Sequence, residues 1–175
     1  TIYPKAVTVD TGSKREAYSG NPVFDKTPVI TEGALAAGHS FGELKVYPYL
    51  INVGKLENDY KLTVADSVGA EVTRNYDIKY NYGTLEVTKC EATVTLDNFV
   101  GQKAFVYSNK HVNISAEDAV LTVVPDIIAR SEFAIDYAAE TIDVGTDYTY
   151  TVHIADKLIA DNFNLKIAGR GSGRI

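Results

Sequence analysis

Few side chains in this sequence could do acid–base or metal chemistry, and they are widely spaced. The three histidines are His39, His111 and His153, and no two have the spacing of metal ligands on one element. The sequence contains no HExxH or CxxC motif. His39 follows Gly38 in a predicted connection, so we expect a solvated loop residue. His153 alternates with apolar neighbours, which predicts an outward-facing side chain. The histidines therefore predict neither a catalytic residue nor a metal site.

Nucleophile and phosphate-binding motifs are also missing. Cys90 is the only cysteine, so it forms no internal disulfide, and its strand-like surroundings predict a small, half-buried residue. Gly169, Gly171 and Gly173 alternate near the end of the chain, but no helix follows them. They predict a flexible tail and not a phosphate-binding loop. With no G-x-S-x-G motif either, we expect no enzyme and no cofactor.

Two sets of residues leave a sharper interpretation open. Five acidic residues recur in the second half: Glu132, Asp136, Glu140, Asp143 and Asp147. Clustered carboxylates suit Ca²⁺, although no compact calcium loop is present.

Tyrosine is abundant, with 12 residues and no tryptophan. Those in or beside predicted strands are Tyr47, Tyr49, Tyr60, Tyr76, Tyr80, Tyr82, Tyr137, Tyr148 and Tyr150. Strands use tyrosine because its ring packs while its hydroxyl reaches water. The alternative is a tyrosine-lined face that contacts glycan or protein, an idea weakened by the absence of tryptophan.

Composition limits the class of protein. The 175 residues are 45% hydrophobic, which is typical of a globular chain, and no apolar run approaches the length of a membrane span. The net charge of −6 disfavours nucleic acid as a partner. Residues 90–175 hold 7 basic and 12 acidic side chains, whereas residues 1–89 hold 10 and 11. Because the chain begins with Thr and contains no Met, we expect a processed product or a fragment of a larger protein.

An internal repeat dictates the domain organisation. The matched segments are Thr8-Val9-Asp10 with Thr95-Leu96-Asp97, Tyr18-Ser19 with Tyr107-Ser108, Asn52-Val53-Gly54 with Asp143-Val144-Gly145, Ala65-Asp66 with Ala155-Asp156, and 75–79 with 162–166. Their offsets are 87, 89, 91, 90 and 87 residues, in one order. A repeat of this length indicates two copies of one small domain, at 1–89 and 90–175. No Gly, Pro or Ser lies at the junction, so we expect a semi-rigid, end-to-end pair.

The local patterns are those of strands. Alternation in 60–64 predicts a half-buried strand, and 76–87 predicts a β-hairpin whose Gly83 takes the left-handed conformation. Helix is limited to single turns at Thr31–Ala37 and Ser115–Leu121. We therefore predict an all-β fold of two tandem antiparallel β-sandwich domains, immunoglobulin-like in architecture. The alternative, a β-grasp-like module, requires a genuine helix at one of those two segments.

The first copy resembles the MBG-type and YDG-type repeat modules of bacterial cell-surface proteins. The segments that carry the resemblance are 18–22, 35–39, 52–54, 72–76 and 83–89, which together span copy one. The resemblance implies an extracellular location, secreted or on the surface of a Gram-positive bacterium, with neighbouring repeat domains as partners. It also implies a stalk or adhesion role without enzyme activity. Gram-positive adhesin domains can carry Lys–Asn isopeptide bonds, and the sequence leaves such a bond open.

Copy two departs from that pattern. Its turn at Tyr107-Ser108-Asn109 lacks the glycine, and its end at 168–175 shows no clear strand. We expect an open sheet edge there, covered by a neighbouring segment or by another chain.

The function predicted from the sequence is a stalk or spacer that projects a functional head. The alternative is an adhesin that binds host or matrix glycan or protein. No group of residues supports a hydrolase.

Overall fold

A computed structural model describes residues 1–96, 109, 121–137 and 147–174. The chain forms two compact units, Thr1–Thr88 and Lys89–Ile175. Strands dominate both units, so the all-β prediction is confirmed. Among the described residues, helix is limited to a four-residue α-helix, α1 (Lys157–Ala160), and to 3-10 turns at Thr73–Asn75 and Arg130–Glu132. No described helix is long and apolar enough to cross a membrane.

The first unit is fully described and holds eight strands in three sheets. The strands are β1 (Lys5–Asp10), β2 (Lys14–Ala17), β3 (Val29–Gly33), β4 (Ser40–Phe41), β5 (Gly54–Asn58), β6 (Val64–Ala65), β7 (Tyr76–Asn81) and β8 (Gly83–Thr88). Their orders are β3-β1-β7, β2-β8-β5 and β4-β6. The core cluster contains Val7, Val9, Tyr60, Leu62, Val64 and Tyr76. The alternate burial of positions 60, 62 and 64 agrees with the alternation in the sequence, although only the last of them lies in a strand.

Two strand pairs of the first unit are parallel, which corrects the expected antiparallel arrangement. β1 pairs with β7 from Lys5↔Tyr76 to Asp10↔Asn81, and β2 pairs with β8 from Lys14↔Leu85 to Ala17↔Thr88. The predicted hairpin is therefore wrong, because β7 and β8 belong to different sheets. The chain leaves the first sheet after β1 and again after β7, and the two exits lie side by side because Asp10 pairs with Asn81. The two strands that enter the second sheet consequently stay side by side.

Glycine is required at position 83 for a different reason from the one that its sequence context indicates. Its φ is not among the positive values, so the left-handed conformation predicted for it is wrong. A Cβ at this position would lie 1.8 Å from the carbonyl oxygen of Gly12 and 2.7 Å from the Ser13 Oγ. Glycine is needed because the two crossing segments approach each other too closely for any side chain.

The helical turn predicted at Thr31–Ala37 is also wrong. Its first three residues complete β3, since Val29, Ile30 and Thr31 are β-branched and favour extended backbone. Gly33 then ends the strand with a φ of 76°. The other predicted turn, Ser115–Leu121, lies outside the described residues except for its last residue, which begins a strand. The β-grasp alternative therefore lacks its helix in the first unit, while the immunoglobulin-like architecture stays a prediction.

The described part of the second unit forms two three-stranded sheets, β10-β9-β13 and β11-β12-β14. The strands are β9 (Cys90–Leu96), β10 (Leu121–Val124), β11 (Phe133–Tyr137), β12 (Asp147–Ile154), β13 (Phe163–Ala168) and β14 (Gly171–Arg174). β9 and β13 are parallel, from Cys90↔Phe163 to Thr95↔Ala168, as β1 and β7 are in the first unit. This register equates Val94 with Val9, an offset of 85 and not the 87 of the sequence match. Both side chains are fully buried, which supports the structural alignment.

The second unit closes with its own C-terminal segment. β14 pairs antiparallel with β12, from Asp147↔Arg174 to Tyr150↔Gly171. The predicted open edge and the predicted flexible tail are both wrong. A Cβ at position 171 would lie 1.9 Å from the ring of the buried Tyr150, so glycine lets the last strand pass over that ring. The glycines of this segment are needed for close packing, which composition alone does not reveal.

Candidate functional site

The described histidines lie in hydrogen-bonded pairs in different units. The backbone N–H of Ala36 donates to the Tyr76 hydroxyl at 3.0 Å, and that hydroxyl lies 2.7 Å from His39 Nδ1. The hydroxyl and the His39 ring nitrogen share one hydrogen bond, whose direction is set by the tautomer of the ring. His39 lies in a connection, as predicted, but it is half-buried, so the expectation of a solvated side chain is wrong. His153 is exposed as predicted, and its Nδ1 lies 2.6 Å from Asp136 Oδ2. His111 lies outside the described residues.

The repeated Ala-Asp motif is structural. Asp66 accepts hydrogen bonds from the backbone N–H groups of Ala70 (2.9 Å) and Val68 (3.0 Å). These bonds, that from Ala70 foremost, lower the pKa of the Asp66 carboxyl. At the repeated position, the Asp156 carboxylate accepts from Leu158 N–H at 2.8 Å and caps α1. Each aspartate thus orders the chain just after a strand.

The other candidate groups are not brought together in the described residues. Cys90 is a half-buried free thiol in β9. No group of three His, Cys, Asp or Glu residues that could hold a metal occurs in the described ranges. Of the acidic string, Asp136 bonds to His153, while Glu140 and Asp143 fall outside those ranges. Every described lysine is exposed, so none is enclosed with an asparagine for an isopeptide bond.

The described tyrosines do not form one exposed face. Tyr60, Tyr76 and Tyr150 are buried, and Tyr49 is exposed. Three further tyrosines, Tyr47, Tyr80 and Tyr82, are half-buried. Lysines cover them: Lys26 Nζ lies 5.1 Å from the Tyr47 ring centroid, and Lys61 Nζ lies 4.4 Å and 4.5 Å from those of Tyr80 and Tyr82. The packing interpretation of tyrosine accounts for this arrangement.

A buried polar node holds the sheet crossing of the first unit together. Asn58 is fully buried, and its side-chain N–H groups donate to the carbonyl oxygens of Thr11 (2.8 Å), Gly12 (3.2 Å) and Asp25 (2.9 Å). The Tyr60 hydroxyl donates to the same Thr11 carbonyl at 3.0 Å. Burial, followed by the charge of Asp25, raises the pKa of Tyr60 to about 12. Sequence analysis missed the node because Asn58 lies in a polar run that is typical of the surface.

The second unit replaces this node with apolar packing. The strand registers place Asn58 opposite Gly83 and Tyr150 opposite Gly171, so Asn58 and Tyr150 occupy equivalent positions. Likewise, Leu96 takes the place of the buried Thr11. The two copies share a topology but differ in what fills its centre.

Each unit also carries a half-open cleft on its surface. The first-unit cleft, about 350 Å³, is lined by Gly42, Glu43, Leu44, Lys45, Val46, Lys61 and Thr63. The second-unit cleft, about 340 Å³, is lined mainly by Asp136, Thr149, Thr151, Ile167, Gly169 and Arg170. The sequence singled out Asp136 and Gly169 for other reasons, and it gave no signal for Arg170.

The two clefts lie at equivalent places. Phe41↔Val64 in β4 and β6 matches Phe133↔Ile154 in β11 and β12. The residues three positions after Phe41 and Phe133 are then equivalent, and these are Leu44 and Asp136. The residues three positions before Val64 and Ile154 are equivalent in the same way, and these are Lys61 and Thr151. β7 and β13 similarly equate Tyr80 with Ile167 and Tyr82 with Gly169.

Comparisons with known proteins do not identify the chain. No family model, no curated protein and no solved structure gave a match. The resemblance to MBG-type and YDG-type modules therefore rests on the residue pattern alone.

Proposed function

We propose that this chain is a non-catalytic tandem module of a bacterial surface protein, where it serves as a stalk that projects a functional head. The observation that supports this function is the parallel pairing of terminal strands. In the first unit, β1 and β2 come first, and their parallel partners β7 and β8 come last. The second unit repeats the arrangement with β9 and β13.

Parallel terminal strands suit a module that carries tension. Force on the two ends of the first unit pulls β1 and β8 in opposite directions along their axes. All rungs of β1·β7, six residue pairs, and of β2·β8, four pairs, are then loaded together. An antiparallel pair joined by a hairpin would be opened one rung at a time from its free end. Forced unfolding is governed by the unfolding rate, and simultaneous rupture raises the barrier for it.

The described chemistry favours this function over catalysis. The histidines and the metal-ligand candidates lie in separate places, and the buried titratable Tyr60 donates to a backbone carbonyl within the core. Asp66 and Asp156 are engaged in ordering loops. None of these groups is left facing a cleft as an acid–base pair, apart from Asp136 with His153.

Single-molecule force spectroscopy tests the stalk function. In the full chain with Cys90→Ser, handles on Thr1→Cys and Lys89→Cys load only the first unit, in shear. The matched control has handles on Lys14→Cys and Thr84→Cys, which are exposed and lie at adjacent ends of β2 and β8. Shear should extend the chain by up to about 300 Å per unit, at a clearly higher force than the control. Equal rupture forces in the two geometries would remove the support for a load-bearing module.

The cellular location is part of the proposal and has its own test. An antibody against the first unit should label intact cells of the source bacterium, and external protease should abolish the labelling. Labelling that requires permeabilised cells would place the protein inside and contradict the surface role.

A second candidate, adhesion, is favoured by one observation. The second-unit cleft brings together the carboxylate of Asp136, the guanidinium of Arg170 and the hydroxyl groups of two threonines, whereas its counterpart has lysines in place of an arginine and a single threonine.

A further inference from the structure

We propose that the second-unit cleft binds a single acidic sugar, a pyranose ring that carries one carboxylate. This inference deepens the adhesion candidate and is independent of the stalk function, since it concerns a surface cleft and not the terminal strands. It rests on the difference between two clefts of one size at equivalent positions. Such a difference within a duplicated fold identifies a place where one copy has acquired its own chemistry.

In the first unit the Lys61 side of the cleft is engaged in internal contacts. The Lys61 ammonium lies over the stacked rings of Tyr80 and Tyr82, whose centroids are 5.5 Å apart with an interplanar angle of 11°. The Tyr80 hydroxyl accepts from Leu62 N–H at 2.9 Å. The cation, both rings and one hydroxyl are thus already engaged within the unit.

In the second unit the same positions hold Thr151, Ile167 and Gly169, so neither ring nor lysine is present. Arg170 adds a guanidinium, which makes no ion pair with any residue that the structure describes. Its planar set of N–H donors matches a carboxylate with two parallel hydrogen bonds. Because the second half of the chain is acidic overall, a ligand with one negative charge is tolerated better than a multiply charged one.

The remaining lining suits the ring of a sugar. The Asp136 carboxylate accepts hydrogen bonds from ligand hydroxyls, and its 2.6 Å contact with His153 Nδ1 holds it in place. Thr149 and Thr151 each supply a hydroxyl that both donates and accepts. Ile167 and the side-chain-free Gly169 offer apolar surface to the C–H face of the ring. A volume of about 340 Å³ is at the small end for ligand pockets, which fits one monosaccharide residue.

NMR titration of the full ¹⁵N-labelled chain with D-glucuronate, D-glucose and inorganic phosphate tests this assignment. D-glucuronate should give saturable shifts of the amide signals of 149–151 and 169–170. D-glucose, which has the ring without the carboxylate, should bind at least tenfold more weakly, as should phosphate. Equal binding of glucose, tighter binding of phosphate, absence of saturation, or shifts confined to other regions would overturn the proposal.

Variants separate the cleft from general effects. Arg170→Ala and Asp136→Asn should each weaken D-glucuronate binding at least tenfold, whereas Arg170→Lys should retain part of it. Lys61→Ala, at the equivalent place in the first unit, should leave binding unchanged. All three side chains are exposed, so spectra of the four variants should keep the dispersion of the folded chain. A loss of binding in Lys61→Ala, or full binding in Arg170→Ala, would refute the assignment. Neither variant should change the rupture force, so this test and the test of the stalk function can fail separately.

Discussion

Replacement of Gly83 by alanine should destabilise the first unit strongly, because the sheet crossing leaves no room for a methyl group. The new Cβ would lie 1.8 Å from the Gly12 carbonyl oxygen and 2.4 Å from the Gly12 carbonyl carbon. Both are backbone atoms, so the conflict is relieved only if the two crossing segments move apart. Overpacking of this kind costs about 1–3 kcal/mol.

Separation of the segments also breaks hydrogen bonds. Gly83 N–H donates to Thr11 Oγ1 and Thr84 N–H donates to Ser13 Oγ, both at 2.9 Å. At about 1 kcal/mol each, their loss brings the expected destabilisation to about 3–5 kcal/mol. A small domain has a total stability of about 5–15 kcal/mol, so the first unit should be close to unfolding.

Two other glycines provide matched controls. Gly69 has a φ of 85° and no atom within 4 Å of an added Cβ, so alanine there should cost only the torsional term of about 1–2 kcal/mol. Gly54 lies in β5 with its nearest atom at 4.0 Å and no positive φ, so Gly54→Ala should be neutral or stabilising by about 0.4–1 kcal/mol.

Hydrogen exchange read by mass spectrometry measures each unit separately, because peptides from 1–88 and from 89–175 report on different units. In Gly83→Ala the core peptides of the first unit should lose protection while those of the second unit stay unchanged. If Gly83→Ala and Gly54→Ala gave first-unit stabilities within about 0.5 kcal/mol, the close crossing of the two segments would be wrong.

Three further predictions concern buried or capped polar groups. Asn58→Ala should destabilise the first unit by about 2–4 kcal/mol, because three backbone carbonyls lose a donor. Hydrogen exchange measures the loss of stability, and the control Asn21→Ala, at an exposed position, should have almost no effect. Since burial raises the pKa of Tyr60 to about 12 from 10.0, folding is favoured below pH 10 and this contribution is lost as pH rises from about 10 to 12. Circular dichroism against pH should show alkaline unfolding that is shallower in Tyr60→Phe, and identical curves would contradict the burial argument. The backbone N–H groups that lower the pKa of Asp66 favour its charged form, so they stabilise the fold above pH 3.8. This stabilisation is lost as the pH falls through the lowered pKa. An acid titration of Asp66→Ala that matched that of the parent chain would refute this.

The strand content was predictable from residue type, whereas strand partners were not. β-branched and aromatic residues at alternating positions indicate strands in segments such as 5–10 and 90–96, and the structure has them. The hairpin at 76–87 was wrong because its local pattern, two alternating runs around a glycine, fits a sheet crossing equally well. The parallel partner of β7 lies some 70 residues earlier in the chain, at Lys5–Asp10, beyond the range of any local pattern.

The candidate site was predictable only in part. The outward orientation of His153 followed from alternation, and Asp136 stood out as one of an acidic series. Their contact at 2.6 Å depends on the antiparallel register of β11 with β12, in which Asp136 faces Thr151 and Ala134 faces His153. Arg170 was assigned to a flexible tail, because nothing in a glycine-rich segment indicates that it forms a strand over a buried tyrosine.

The sequence by itself determined the all-β class and a duplication at about 87 residues, because both are written in residue type and spacing along the chain. Only the tertiary structure decided that the terminal strands are parallel, that Asn58 lies buried at the sheet crossing, and that the last strand closes the second unit. These features depend on which distant segments pack together, and glycines at 83 and 171 permit approaches that a list of residues does not show. Long-range packing, more than local preference, therefore gives the two copies their shared frame and their different clefts.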